Sequence, residues 1–453
     1  MYDLIIIGGG PAGYHAAELA AREGVKTLLF EERAVGGVCL NEGCIPSKAL
    51  LHSAKLFDYV NGGGKRYGVH CEAPRLDYAA AVRRKDKVVK KLTAGIEGAL
   101  KRGGVDVVKA RAEIEGRVEG GFEVRAGGQA YRAAKLLLCT GSESVLPPIG
   151  GLKEALASGF AVTNREILAL TEPPKRLVIV GGGVIGMEMA SLMTSALCEV
   201  TVIEMLDRIA APTDAEIAKL LQKEYEKRGV CFLLGAKLTG VGQDSVTYEI
   251  NGVAEALPCD RVLISIGRCA ATANIGLERI GVETRNGAAP TDAQQKTNVP
   301  GVFAAGDING KSMLAHTAYR EAEVAVNVIC GRKDMMEYNA IPSVIYTNPE
   351  AAGVGETLET ALAKGMDARE VKLPMMYSGR YMAENEGGTG ICKLVWAGGK
   401  RLIGVHMLGN PCSEIIAAAA ALISREISLE QAKKIVFPHP SVAEILHEGL
   451  FHS

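Results

Sequence analysis

Twice in this chain an apolar run leads straight into a Gly-x-Gly-x-x-Gly loop. Gly8-Gly9-Gly10-Pro11-Ala12-Gly13 follows the apolar residues 4–7, and Gly181-Gly182-Gly183-Val184-Ile185-Gly186 follows residues 176–180. Each loop opens a helix, expected to about residue 22 in the first copy and over about 187–196 in the second. A second apolar strand follows each helix, at 27–30 and 200–203, and ends on an acid, Glu31 or Glu204. Each acid lies 23 residues past the first glycine of its loop. The glycines allow the tight turn and the close approach of a pyrophosphate to a helix N-terminus, and the acid can accept hydrogen bonds from ribose hydroxyls. One such loop is weak evidence. Strand, loop, helix and acid in register, twice over, imply an α/β fold with two Rossmann-like dinucleotide-binding domains. Both copies keep all three glycines and the acid, which argues for two different dinucleotides, one per module.

The 453 residues suffice for about three domains of ordinary size. A net charge of −1 gives no electrostatic reason for nucleic acid or an anionic membrane as partner. No apolar run approaches the roughly 20 residues of a membrane span. The N-terminus lacks a basic segment and reads as a buried strand rather than a signal peptide. The 11 cysteines are odd in number and scattered, which argues against a secreted disulfide framework and for a cytoplasmic setting.

Between the modules, residues 77–102 read as a long amphipathic helix, 136–141 as a buried strand entering a turn, and 147–151 as a linker. After the second module, 261–268 repeats the strand-to-glycine pattern, and 297–307 is an apolar segment ending in Gly306-Asp307. That places a carboxylate at the C-terminal edge of a strand, where ligands of open α/β sheets bind. A further helix is expected to start near Leu314-Ala315-His316. From about residue 338 the texture changes to antiparallel strands at 343–346, 391–396 and 402–407, with helices at 413–424 and 429–434.

Within Gly36 to Lys48, Cys39 and Cys44 are separated by four residues. A disulfide needs Cα atoms about 4.4–6.8 Å apart, closer than positions i and i+5 of a regular helix. A bonded pair would therefore need a distorted turn, for which Gly43 and Pro46 are suited. The helix expected over 47–60 puts Cys44 near a positive helix end that favours a thiolate. Taken alone, the spacing leaves two readings open: a redox disulfide, or two structural or free cysteines.

These features together resemble a known family. The stretch Gly36 to Lys48, both glycine loops, Thr140-Gly141, Ala305-Gly306-Asp307, Tyr346-Thr347-Asn348-Pro349-Glu350 and His439-Pro440 are similar, in order and along the whole chain, to the flavoprotein disulfide reductases. These form class I of the pyridine nucleotide-disulfide oxidoreductases. The resemblance implies an FAD-binding domain at 1–148, an NAD-binding domain at 149–270, a central domain at 271–337 that completes the FAD site, and an α+β C-terminal dimerisation domain at 338–453. It implies that Gly8, Gly10, Pro11, Ala12, Gly13 and Glu31 hold the ADP half of FAD. Lys48 lies near the flavin, Thr140 and Gly141 touch FAD, and Asp307 binds its ribityl chain. Leu314, Ala315 and His316 start a helix beneath the flavin, with the main chain rather than the His316 ring as the functional part. Gly181, Gly183, Gly186 and Glu204 hold NAD, Glu188 lies beside the nicotinamide, and Gly267 and Arg268 belong to the cofactor-binding set. No metal is implied.

The same resemblance implies that Cys39 is the thiol that meets the substrate and Cys44 the thiol that contacts the flavin. It makes His439 the acid–base, with Glu444 orienting its ring, and it implies a two-fold homodimer in which each subunit lends its histidine to the other. The nearest branch of the family oxidises protein-bound dihydrolipoamide and reduces NAD+ to NADH. Its partners are lipoyl domains and the acyltransferase or glycine-cleavage carrier of a multienzyme complex. A carboxylate at Glu204 would repel a 2′-phosphate, which favours NAD. The alternative is a related FAD-dependent reductase acting on another disulfide such as glutathione. A redox sensor without turnover is a rival of a different class, disfavoured by the presence of both cysteines, His439, Glu444 and both loops. The chain departs from the family pattern at Val38, at Phe437-Pro438 and at Cys269-Ala270-Ala271.

Overall fold

Leu4-Ile5-Ile6-Ile7 is apolar on both faces, the pattern of a strand covered on both sides. In the computed structural model, which describes residues 1–385 and 388–452, these residues end strand Tyr2–Ile7 and are almost fully buried. The strand pairs in parallel with Thr27–Phe30 on one side and with Gln129–Leu138 on the other. The sheet order is Asp106–Val108, Thr27–Phe30, Tyr2–Ile7, Gln129–Leu138, Gly121–Ala126, Ala112–Val118, with Val302–Ala304 added in parallel to Gln129–Leu138. Leu4 and Ile6 pack against alanines of helices Pro11–Arg22 and Ala315–Ile329, and Ile5 and Ile7 against Leu28, Phe30, Leu136 and Leu138. These elements belong to one compact unit made of Met1–Ala49, Ala80–Val145 and Gly267–Glu337.

The second unit is made of Leu50–Ala79, Leu146–Ile266 and the chain from Tyr338 on. It holds a five-stranded parallel sheet in the order Cys231–Leu234, Glu199–Glu204, Arg176–Val180, Arg261–Ile264, Ala161–Val162. It also holds an antiparallel sheet in the order Ser343–Ile345, Ala351–Gly355, Arg401–Leu408, Ile391–Ala397, Ala368–Pro374. Helices Cys412–Ser424 and Glu444–Phe451 share the core of this second sheet. Among the described residues no helix is long and apolar enough to cross a membrane.

Two expected helix boundaries move, and two strands are added. The helix expected from residue 47 starts at Cys44, because proline is tolerated in a first turn, whose N–H groups lack helical partners anyway. Pro46 is therefore helical, and the chain breaks at Gly43 alone. The second module's helix is Val184–Ser195, starting inside its glycine loop, since Gly186 packs as a helical residue against the turn. In the C-terminal region, strands Ala351–Gly355 and Ala368–Pro374 lie where no strand was expected.

Candidate active site

The first loop closes so tightly that side chains have no room. Gly8 has φ +105° and a Cβ there would lie 2.2 Å from the Cys139 carbonyl oxygen, while one on Gly13 would lie 1.8 Å from the Gly8 carbonyl oxygen. Pro11 and Ala12 begin the helix Pro11–Arg22, whose N-cap, Gly10, offers no side chain to the first-turn N–H groups. Those donors are the ones an anion can take. The Glu31 carboxylate is aimed by backbone donors, accepting from Gly9 N at 2.7 Å, Arg33 N at 2.7 Å and Ala34 N at 3.2 Å. Beside it lies a cavity of about 510 Å³ lined by Glu31, Arg33, Leu100, Lys101, Val105 and Lys109, a size that suits an adenosine.

Cys39 and Cys44 sit on either side of a helix break. Gly36, at φ +101°, opens the short helix Gly37–Glu42 that carries Cys39, and Gly43 separates it from helix Cys44–Val60. The short helix abuts the first loop: a Cβ on Gly37, at φ +59°, would lie 2.6 Å from the Gly10 Cα. Both cysteines are half-buried, and a hydrogen bond joins them. That bond, then burial, pushes the Cys39 thiol well above the ordinary thiol range, with the Lys48 charge pulling the other way.

Around the end of strand Gln129–Leu138 a second set of groups converges. Thr140 Oγ1 donates to the Ala271 carbonyl at 2.6 Å, and Ala271 N donates to Gly141 O at 2.9 Å. Ser142 Oγ donates to the Asp307 carboxylate and accepts from Arg268 Nε at 2.7 Å. Burial pushes the Arg268 guanidinium below its ordinary range, and Asp307 opposes that shift. Gly267 takes φ +128° and its carbonyl accepts from Val145 N at 3.0 Å. Helix Ala315–Ile329 starts at N-cap Leu314, again with no side-chain cap. Ala315 and His316 are in its first turn, with the His316 side chain exposed. Ser142 had no signal in the sequence beyond following a Thr-Gly turn.

In the second unit the other loop repeats the first. Gly181 has φ +101°, and a Cβ on Gly186 would lie 2.0 Å from the Gly181 carbonyl oxygen. Gly183 is an N-cap without a side chain, and Glu204 accepts from Gly182 N at 2.7 Å and Leu206 N at 2.9 Å. Glu188 is 4% exposed and accepts from Tyr346 N at 3.1 Å, so it is no solvated helix residue. His439 is largely exposed, with Nδ1 2.9 Å from Glu444 Oε1, and Glu444 Oε2 accepts from Ser441 N at 2.8 Å. The Ser441 N–H and then His439 hold the Glu444 carboxyl below the usual carboxylate range. Cys39, Cys44 and Lys48 belong to the first unit, and Glu188, His439 and Glu444 to the second.

Residues 2–322 match the family model of pyridine nucleotide-disulphide oxidoreductases, and residues 341–450 match that family's dimerisation domain. A dihydrolipoyl dehydrogenase of Chlamydia muridarum is 37% identical over 99% of this chain and 96% of its own length. Dihydrolipoyl dehydrogenase 3 of Pseudomonas putida is 36% identical over 99% of this chain and 97% of its own. The crystal structure of LpdA from Mycobacterium tuberculosis shares the fold with a TM-score of 0.90, at 24% identity, covering 100% of this chain and 99% of the other.

Proposed function

This chain belongs to the pyridine nucleotide-disulphide oxidoreductase family, and on that premise we propose that it is a dihydrolipoyl dehydrogenase. It oxidises protein-bound dihydrolipoamide to lipoamide through the Cys39–Cys44 pair, with FAD and NAD+ as acceptors in series. The observation that carries the reading is the Cys39–Cys44 dithiol, set at a helix break against a dinucleotide loop. The chain is homodimeric through its dimerisation domain. In this reading residues 1–148 and the central 271–337 hold FAD, 149–270 hold NAD, and 338–453 form the dimer.

The first module fits FAD: two glycines leave no room for side chains, an uncapped helix start offers N–H groups, and a cavity lies beside Glu31. Asp307, held by Ser142, which Arg268 anchors in turn, presents its carboxylate for ribityl hydroxyls, and the uncapped start at Leu314, Ala315 and His316 offers positive dipole to the isoalloxazine. The second module fits NAD through Gly181, Gly183, Gly186 and Glu204, with Gly267, Arg268, Thr140, Gly141, Lys48 and Glu188 completing the two cofactor sites. When bound, FAD supplies two-electron acceptance from a dithiol, and NAD+ supplies the final hydride acceptor.

The chain's own residues carry the exchange. One substrate thiolate attacks Cys39 Sγ of the oxidised pair, forming a mixed disulfide and releasing Cys44 as a thiolate. The second substrate thiol loses its proton to the partner's His439 and attacks the substrate sulfur, releasing the cyclic disulfide and leaving Cys39 reduced. With His439 Nδ1 engaged by Glu444, Nε2 is the free basic nitrogen. A dithiol and a disulfide enter, and a disulfide and a dithiol leave. The substrate is carried by lipoyl domains of a multienzyme complex with its acyltransferase or glycine-cleavage carrier, and the cysteine usage fits a cytoplasmic setting.

Steady-state assays test this directly, with NADH or NADPH as donor and lipoamide or glutathione disulfide as acceptor. Turnover with NADH and lipoamide is expected to exceed the other three combinations. Preference for glutathione disulfide or NADPH would overturn the assignment.

A further inference from the structure

Glu321 lies two turns into helix Ala315–Ile329 and has no exposed surface. A carboxylate is costly to bury unless its oxygens are hydrogen-bonded, and the dithiol exchange does not use this one. Its Oε2 accepts from Gly306 N at 2.6 Å. That N–H is the first to leave the sheet. Strand Val302–Ala304 pairs with Gln129–Leu138, and Ala305 N still donates to Leu138 O at 3.0 Å. Gly306 then takes φ +81° and ψ −161°, a conformation open almost only to glycine. A buried N–H beyond its ladder needs an acceptor, and Glu321 supplies it from 15 residues further along the chain. Gly306 is also pressed onto the same helix. A Cβ there would lie 3.4 Å from the Cβ of Ala318, and as close to that of Ala12 in the first glycine loop.

The next residue is Asp307. It opens the tight turn Asp307–Asn309, closed by Asn309 N on Gly306 O at 3.0 Å and Gly310 N on Asp307 O at 3.1 Å. The connection from that turn to the helix is tied down as well. Asn309 Oδ1 accepts from Lys311 N at 2.9 Å, and the Ser312 and Thr317 hydroxyls are hydrogen-bonded at 2.9 Å. The Glu321–Gly306 bond thus spans a loop with a flavin-binding group at either end: Asp307 at one, the uncapped helix start at Leu314 at the other. We propose that Glu321 is a positioning residue for FAD. By holding Gly306 N it fixes Asp307 relative to the start of helix Ala315–Ile329, so that the ribityl chain and the isoalloxazine are held in one register. This rests on the reading of Asp307 as the ribityl ligand. With no exposed surface, Glu321 has nothing to present to the flavin itself and acts through Gly306.

The test is a coupling measurement on the flavin-loaded homodimer, with no turnover in it. The protein is diluted, and FAD released over time is separated by ultrafiltration and quantified by its absorbance. The unaltered protein is compared with Glu321→Met, Asp307→Ala and the double variant. Glu321→Met keeps the length of the side chain and removes the acceptor, and is expected to speed release about tenfold. Because Glu321 acts through Asp307, the double variant should release FAD no faster than Asp307→Ala alone. Glu321→Gln keeps an oxygen that accepts from Gly306 N, and should release FAD more slowly than Glu321→Met. Effects that multiply in the double variant, or a Glu321→Gln protein as fast as Glu321→Met, overturn the proposal. Should Glu321→Met be purified without flavin, Glu321→Gln decides: retention of FAD there supports the proposal, and loss of FAD there is fatal to it. The two readings fail separately. Unchanged release from Asp307→Ala withdraws the ribityl reading and this proposal with it. Faster release from Asp307→Ala, with none from Glu321→Met, overturns this proposal alone.

Discussion

Replacing Lys393 by methionine is expected to destabilise the second unit by about 3 kcal/mol, at the lower end of what breaking a buried ion pair costs. Lys393 lies on strand Ile391–Ala397 with its side chain 4% exposed. Its Nζ is 2.7 Å from Asp214 Oδ2, 3.0 Å from Glu370 Oε2 and 3.5 Å from Glu216 Oε2. Asp214 has 0% side-chain exposure, while Glu370 and Glu216 have 16% and 39%. Glu370 is 16% exposed with its Oε2 buried, and Glu216, at 39%, can turn to water. Asp214 cannot, and keeps only the N–H groups of Glu216 and Ile217, each 3.1 Å from Oδ1, which it caps at the start of helix Ala215–Lys227. The penalty therefore falls chiefly on the Asp214 carboxylate. Adding Asp214→Asn to Lys393→Met removes the orphaned charge, keeps a capping side chain, and should recover much of the loss.

The chain's one tryptophan, Trp396, is fully buried on the same strand, so urea unfolding followed by its fluorescence reads this region. The pH dependence has a definite sign. Burial pushes the Asp214 carboxyl up, but the Lys393 bond, the Ile217 N–H and the neighbouring positive charge together outweigh it and the net shift is down. Burial pushes the Lys393 ammonium down, but its carboxylates outweigh that and the net shift is up. The lowered carboxyl contributes above its unfolded pKa of about 3.9, and the raised ammonium contributes below its unfolded pKa of about 10.4. The cost of Lys393→Met should thus be level from about pH 5 to 9 and shrink as pH falls through the lowered carboxyl pKa or rises through the raised ammonium pKa. A loss below about 1 kcal/mol at pH 7, or a double variant no more stable than the single, would refute the reasoning.

Three further outcomes are expected. Glu204→Arg should weaken use of NADH and improve use of NADPH, with each charge-assisted bond worth about 1.5–3 kcal/mol, or one to two decades in kcat/KM; an unchanged ratio would remove Glu204 from the nicotinamide site. Gly37→Ala should reduce flavin retention in the purified protein, since φ is +59° and the added methyl meets the Gly10 Cα at 2.6 Å; full flavin content would show that this contact is dispensable. In a mixed dimer of a Cys39→Ser chain with a His439→Gln chain, about half the sites should turn over although both parent homodimers are nearly inactive; a mixed dimer as inactive as its parents would show that the histidine does not come from the partner.

What a row of residues reveals here, and what it hides, follows from how far each interaction reaches along the chain. A turn that only glycine can make has to be written with glycine, so φ values of +105° at Gly8 and +101° at Gly181 were readable as loops. Their distance to Glu31 and Glu204 is set by one helix and one strand, which made the acids readable as well. Glu444 was readable as the partner of His439 through the family resemblance, and the two meet at 2.9 Å. The Ser142–Asp307 and Ser142–Arg268 contacts join residues 165 and 126 positions apart, and Tyr14 meets Tyr319 across 305. Nothing local distinguishes such a serine or tyrosine from a surface residue. Glu188 misleads for a related reason. A single acid on a helix ordinarily faces water, but helix Val184–Ser195 is buried over most of its surface. The Tyr346 N–H that meets this carboxylate comes from a segment 158 residues later. Lys393 lies between these cases. A lysine in a strand otherwise apolar signals by itself that buried counter-charges must exist. Which carboxylates answer it depends on packing helix Ala215–Lys227 near that strand, and this is tertiary structure, carried by no short pattern.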